Sequence, residues 1–190
     1  ILEAAKSDRY GTHCEINSAE IINDHFDKQI CMRKNWSKWI NPKYSKELVR
    51  TLLLLPWKHF SCLYQHHLPS SMLKATYEKL WAEEYDALDK TCREKFRGKG
   101  QVTQYLFLDW QRVTGTFHPR STNIGKSFIL GDIGTEKSQF QEAVAYITGQ
   151  RGKLLCLNDG EMGETEFEKK KMALKKALDA ILPDRCAYEK

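Results

Sequence analysis

One run of four apolar residues, Leu154-Leu155-Cys156-Leu157, constrains the fold most, because it is the one convincing buried strand in a chain whose other apolar positions recur at helical spacing. A short apolar run bounded by turn residues fits a strand covered on both faces, and Asn158-Asp159-Gly160 supplies the turn. Helical stripes fill most of the remainder. Leu48, Thr51, Leu52 and Leu55 predict a helix stopped by Pro56. Leu73, Tyr77, Leu80, Trp81, Tyr85, Leu88, Cys92 and Phe96 predict a helical segment of about 26 residues, capped by Ser70 or Ser71, with Asp86 and Asp89 marking where it could break in two.

Val102, Leu106, Trp110 and Val113 form a further stripe closed by Gly115, and a loop containing Pro119, Gly125, Gly131 and Gly134 follows. Phe140, Val144 and Ile147 predict a short helix ending at Gly149. Thr165 and Glu168 have capping-box spacing for a last helix that Pro183 terminates. The chain therefore reads as a helix-rich α/β protein. With 190 residues, 41% of them hydrophobic, it can bury a core, and residues 1–190 are expected to form a single domain. Ile1 falls inside what reads as an element, so the chain is expected to be the C-terminal part of something longer.

Charge narrows the partners. Between Cys31 and Phe60, seven cations (Arg33, Lys34, Lys38, Lys43, Lys46, Arg50 and Lys58) face Glu47 alone, interleaved with Trp36, Trp39 and Trp57. Such a segment could track a nucleic-acid backbone, lie at an anionic membrane surface, contact sugar phosphates, or be a solvated face with its tryptophans in the core. The longest apolar run, Leu52 to Trp57, is far short of the roughly 20 residues a bilayer span needs. Six cysteines stand apart with no Cys-x-x-Cys pair, which argues for reduced, mostly buried thiols rather than a zinc site or a disulfide framework. Neither a Walker loop nor G-x-G-x-x-G is present, and His13, His25, His59 and His118 lack ligand spacing.

Three places carry chemistry. Pro69 keeps His66-His67-Leu68 out of a helix just before the long helical segment, where an imidazole can meet an anion or move a proton near neutrality; a capping or packing role is the plainer reading. Arg97, directly before Gly98-Lys99-Gly100, could fork onto a phosphate or simply complement a helix C-terminus. Asn158 and Asp159 stand where α/β folds place ligand-binding side chains, at the carboxyl end of a strand, although Asn-Asp-Gly is also an ordinary turn.

Taken together, the order Asn23-x-x-Phe26, His67-x-Pro69, Phe96-Arg97, Gln104 on an aromatic helix, and Cys156-Leu157-Asn158-Asp159 resembles the C-terminal conserved regions of the Stealth family of sugar-1-phosphate transferases. Lys34-Asn35-Trp36, Asn41-Pro42-Lys43-Tyr44, Leu54-Leu55-Pro56-Trp57 and Ile181-Leu182-Pro183 are similar to its bacterial capsular members. The resemblance implies a GT-A-like or Rossmann-like core, catalytic roles for His67 and Arg97, and substrate contacts from His66, Gln104, Asn158 and Asp159. It also implies a nucleotide-sugar donor and a saccharide acceptor, with no nucleic acid, in the cytoplasm or peripherally at the inner face of the membrane. Four residues after the arginine the family usually has Asp, where this chain has Gln101. The family's first conserved regions, whose acidic residues would complete donor or divalent-cation binding, would precede Ile1. An ordinary glycosyltransferase and a noncatalytic basic helical binding module are the two rival readings.

Overall fold

The computed structural model describes residues 1–4, 12–96, 98–133 and 137–188. They divide into two compact units, Ile1–Gln65 with Ser70–Thr122, and His66–Pro69 with Asn123–Lys190.

The first unit is helical. Its elements are β1 (Leu2–Glu3), α1 (Thr12–His25), α2 (Lys28–Lys34), α3 (Trp36–Trp39), a 3₁₀ stretch Pro42–Glu47, α4 (Leu48–Leu54), β2 (Cys62–Leu63), α5 (Lys74–Glu83), α6 (Tyr85–Arg93) and α7 (Tyr105–Val113). β1 and β2 pair antiparallel. The stripe Val102, Leu106, Trp110 and Val113 is buried as expected, packed with Ile22, Trp39, Phe60, Leu80 and Leu88. Phe107 stacks on Tyr77 with ring centroids 3.7 Å apart, and α7 ends before Gly115, whose φ of 78° favours glycine.

The long helical segment is two helices, and the break falls at Glu84 (φ −122°, ψ 37°) rather than at Asp86 or Asp89. The first helix starts at Lys74 after Leu73, so neither Ser70 nor Ser71 caps it. Leu80 and Leu88 reach the core while Leu73, Tyr85, Cys92 and Phe96 stay exposed. Pro56 does stop α4, which ends at Leu54.

The second unit is a β-α-β-α module: β3 (Gly125–Ile129), α8 (Phe140–Thr148), β4 (Leu154–Asn158) and α9 (Glu164–Ile181). β4 is the expected apolar strand, but none of its five residues is fully buried, so it is not covered on both faces as expected. It pairs in parallel with β3, from Gly125 opposite Leu154 to Ile129 opposite Asn158. β3 lies where the sequence suggested a loop; of its residues only Phe128 is fully buried, against Tyr146 at 5.2 Å between ring centroids. Gly134 lies outside the described residues. α9 begins after Gly163, so Thr165 is inside the helix and not its cap.

Candidate functional site

In the second unit Asn158 and Asp159 stand at the carboxyl end of the parallel pair. Asn158 closes β4, and alternation along the strand puts Cys156 and Asn158 on one face: the Cys156 thiol donates to Asn158 Oδ1 at 3.4 Å, and Asn158 Nδ2 donates to Ser127 Oγ on β3 at 3.4 Å. The Asn158 carbonyl accepts from Leu130 N at 2.8 Å. Asp159 is exposed at the turn and accepts from Gly160 N at 2.8 Å.

Two glycines let the strand exits meet. A Cβ on Gly131 would lie 2.6 Å from the Gly160 carbonyl carbon, and one on Gly160 would lie 2.6 Å from that of Gly131. Just beyond them Asp132 and Glu161 exchange backbone hydrogen bonds of 3.2 and 2.8 Å. The Asp132 carboxyl, held by Lys137 and by Ser138 N, titrates below its usual range. Beside these exits Asp159 lines a cavity of about 390 Å³ walled by Leu130, Met162, Phe167, Leu174 and Leu178. Lys170 at its edge donates to the Leu130 carbonyl at 2.6 Å and pairs with Glu166 at 2.7 Å. Asp159 can therefore accept from a hydroxyl at the rim of a largely apolar hollow.

His66 and His67 stand in a non-helical bend of the same unit, His67 exposed and His66 half-buried, with His66 Nδ1 accepting from Leu68 N at 3.2 Å. The segment before Pro69 is non-helical as expected, but the next helix starts only at Lys74, so the histidines do not sit at a helix N-terminus. Arg97 lies outside the described residues.

The first unit holds the remaining candidates. Gln104 is exposed at the N-terminal end of α7 and makes no capping hydrogen bond. Asn23 and Phe60 form a reciprocal clasp, Nδ2 to the Phe60 carbonyl at 2.8 Å and Phe60 N to Oδ1 at 2.9 Å, and Phe26 packs edge-on against Trp110 at 4.8 Å; these two resemblance residues are scaffold. Gln101 is buried, accepts from Gly98 N at 3.0 Å and donates to the Phe96 carbonyl at 3.2 Å, so it grips the backbone on both sides of position 97.

Sequence reasoning missed a buried carboxylate. Asp109, on the inner face of α7, lies 2.8 Å from Arg112 Nη1 and accepts from the Gln65 side chain. Burial nonetheless pushes its pKa up to about 6. The i,i+3 spacing of Asp109 and Arg112 was its only sequence signal. Among the described residues no group of three or more His, Cys, Asp or Glu could hold a metal ion.

Comparison with known proteins gives no matching family model and no matching solved structure. Curated relatives do match. The chain is 31% identical over 92% of its length to the capsular polysaccharide phosphotransferase WcwK of Streptococcus pneumoniae, of which it covers 50%. It is 28% identical over 94% of its length to the exopolysaccharide phosphotransferase cps2G of Lactiplantibacillus plantarum, covering 51%. It is 29% identical over 96% of its length to the receptor polysaccharide phosphotransferase WefC of Streptococcus gordonii, covering 53%. The chain thus spans about half the length of the curated relatives it matches.

Proposed function

We propose, on the premise that this chain belongs with the Stealth-type bacterial polysaccharide phosphotransferases, that it contributes to transfer of a hexose-1-phosphate from a nucleotide sugar to a saccharide hydroxyl in capsule or exopolysaccharide synthesis. The acceptor oxygen bonds to the β-phosphorus of the donor, the bond from that phosphorus to the bridging oxygen breaks, and the nucleoside monophosphate leaves with the bridging oxygen. His67 takes the hydroxyl proton. Arg97 stabilises charge on the phosphoryl oxygens. His66, Gln104, Asn158 and Asp159 contact the two sugars or the donor phosphates.

The observation that carries this reading is similarity along nine-tenths of the chain to proteins named for phosphotransfer. The parallel β3 and β4 pair, with Asn158 and Asp159 at its carboxyl end, supports a Rossmann-like or GT-A-like core in which further strands complete the sheet. All six cysteines are free thiols, which suits the cytoplasm.

Phosphorus NMR of the full-length protein with nucleotide sugar and acceptor oligosaccharide tests the reaction. The expected products are a phosphodiester and a nucleoside monophosphate, with the rate falling on the order of 10² to 10³ in His67→Ala and in Arg97→Ala. Release of a nucleoside diphosphate without phosphodiester would make the protein an ordinary glycosyltransferase, and near-normal turnover in either variant would remove that residue from the mechanism.

A further inference from the structure

Helix α4 is built inside out. Its polar residue Thr51 is fully buried and accepts from Leu2 N at 3.1 Å. Its apolar residues Val49, Leu52 and Leu53, at the i, i+3, i+4 spacing that normally faces a core, are exposed instead, Leu53 to 71%. Trp57, just past the helix, is 52% exposed, and Ile30 on α2 is 67% exposed.

These side chains sit on one braced structure. Lys28 is 2% exposed, and its ammonium donates to the carbonyls of Leu54 at 2.5 Å and Trp57 at 2.7 Å, with a longer contact to Leu55 at 3.4 Å. Gln29 Nε2 donates to the Leu55 carbonyl at 3.2 Å. Burying an ammonium is unfavourable unless its donors are satisfied, so three carbonyls converging on Lys28 tie the start of α2 to the end of α4. The turn from Leu54 to Trp57 is therefore held in place rather than frayed into solvent.

Exposed cations flank them in the sequence. Arg33, Lys34, Lys43, Lys46 and Lys58 are all exposed, and the one acid of this stretch, Glu47, is already paired with Arg50 at 3.1 Å. Trp39, by contrast, is core, so only part of the aromatic content serves folding.

We propose that the exposed side of α4 and the turn after it form a peripheral docking face for an anionic lipid bilayer, with Leu53 and Trp57 entering the headgroup and acyl boundary while the exposed cations next to them in the sequence meet lipid phosphates. A bilayer is the partner that rewards this composition. Exposed branched aliphatics next to tryptophan gain from leaving water at the interface, and the basic rim gains from the surface potential of anionic lipids. A nucleic acid would use the cations and the tryptophans but has no counterpart for Ile30, Val49, Leu52 and Leu53. The inference does not depend on the reaction proposed above.

Vesicle sedimentation of the full-length protein, with phosphatidylcholine alone and with added phosphatidylglycerol, tests it. Binding is expected only with the anionic lipid, weakening as salt is raised. The Leu53→Ser Trp57→Ala variant should partition on the order of tenfold more weakly, and Lys34→Glu Lys58→Glu should lose the preference for anionic lipid. If the first variant does not keep the wild-type circular dichroism, Leu53→Ser alone serves, with a smaller drop in the same direction. Absence of vesicle binding would overturn the proposal and make this face an internal interface of the longer protein. Binding that is unchanged by the Leu53 and Trp57 substitutions, or matched on an RNA homopolymer, would equally overturn it.

Discussion

Gln101 holds Gly98 by accepting its backbone N–H at 3.0 Å, and the same side chain donates to the Phe96 carbonyl at 3.2 Å, so one amide pins the chain on both sides of Arg97. A carboxylate at this position, as in the family pattern, could accept but not donate. The loop is further fixed from α1, where Asn17 donates to the Gln101 carbonyl at 2.6 Å and Ser18 Oγ accepts from Thr103 N at 3.2 Å.

Gln101→Ala is therefore expected to cost about 0.5–1.5 kcal/mol, the usual net worth of a hydrogen bond, because Phe96 and Gly98 are exposed and water can replace the lost partners. Urea denaturation measures the loss, and hydrogen exchange should show the Gly98 amide deprotected. Unchanged exchange at Gly98 would mean the clamp is dispensable.

Asp109 makes stability depend on pH. Its folded pKa is raised from 3.8 to about 6, so between these values the folded protein holds a proton that the unfolded chain has released. The contribution is present below the unfolded pKa and is lost as pH rises through the folded one, amounting to on the order of 3 kcal/mol across that window. Asp109→Asn should flatten the stability profile between about pH 4 and pH 6. A variant with the wild-type slope would show that other groups set it.

How much of this was legible in the sequence varies by element, for physical reasons. β4 could be read because its apolar run needs no partner to be recognised, and α7 because its stripe is dense in large residues. β3 could not: Gly125-Lys126-Ser127-Phe128-Ile129 is mostly small or polar, and it is a strand because β4 pairs with it across 29 residues of sequence. The break at Glu84 carries neither glycine nor proline, so no local signal marks it. At the site, Asn158 and Asp159 were readable as a strand end. Gln101 was readable only as a departure from the family pattern, while its grip on the backbone of its neighbours was not, and Asp109 was hidden because burial, not spacing, gives it its character.

Gly131 and Gly160 give a test of the strand exits. Each would place a Cβ 2.6 Å from the other's carbonyl carbon, closer than packed atoms allow, so Gly131→Ala or Gly160→Ala must push the two turns apart. Each is expected to destabilise the protein by about 1–3 kcal/mol and, because Asp159 directly precedes Gly160, to lower turnover of the full-length enzyme more than thermal melting alone explains. Normal activity in a stably folded Gly160→Ala protein would detach this turn from the reaction.

The isolated 190-residue chain should bind a nucleotide sugar weakly. The cavity beside Asp159 is walled by Leu130, Met162, Phe167, Leu174 and Leu178, and the cations in its lining, Lys170, Lys171 and Lys175, are already paired with Glu166, Glu168 and Asp179. A diphosphate needs several donors aimed at it, usually backbone N–H groups at a helix start together with fixed cations, and a two-stranded parallel sheet offers few strand ends from which to assemble them. Micromolar affinity corresponds to about −8 kcal/mol, which a largely apolar hollow with two carboxylates, Asp159 and Asp179, in its lining does not supply to a charged ligand. Calorimetric titration with UDP-sugars should therefore show no saturable heat at micromolar concentrations. A micromolar isotherm would mean that the donor site is complete within these residues, and the strands and acidic groups assigned to the remainder of the longer relatives would then be unnecessary for donor binding.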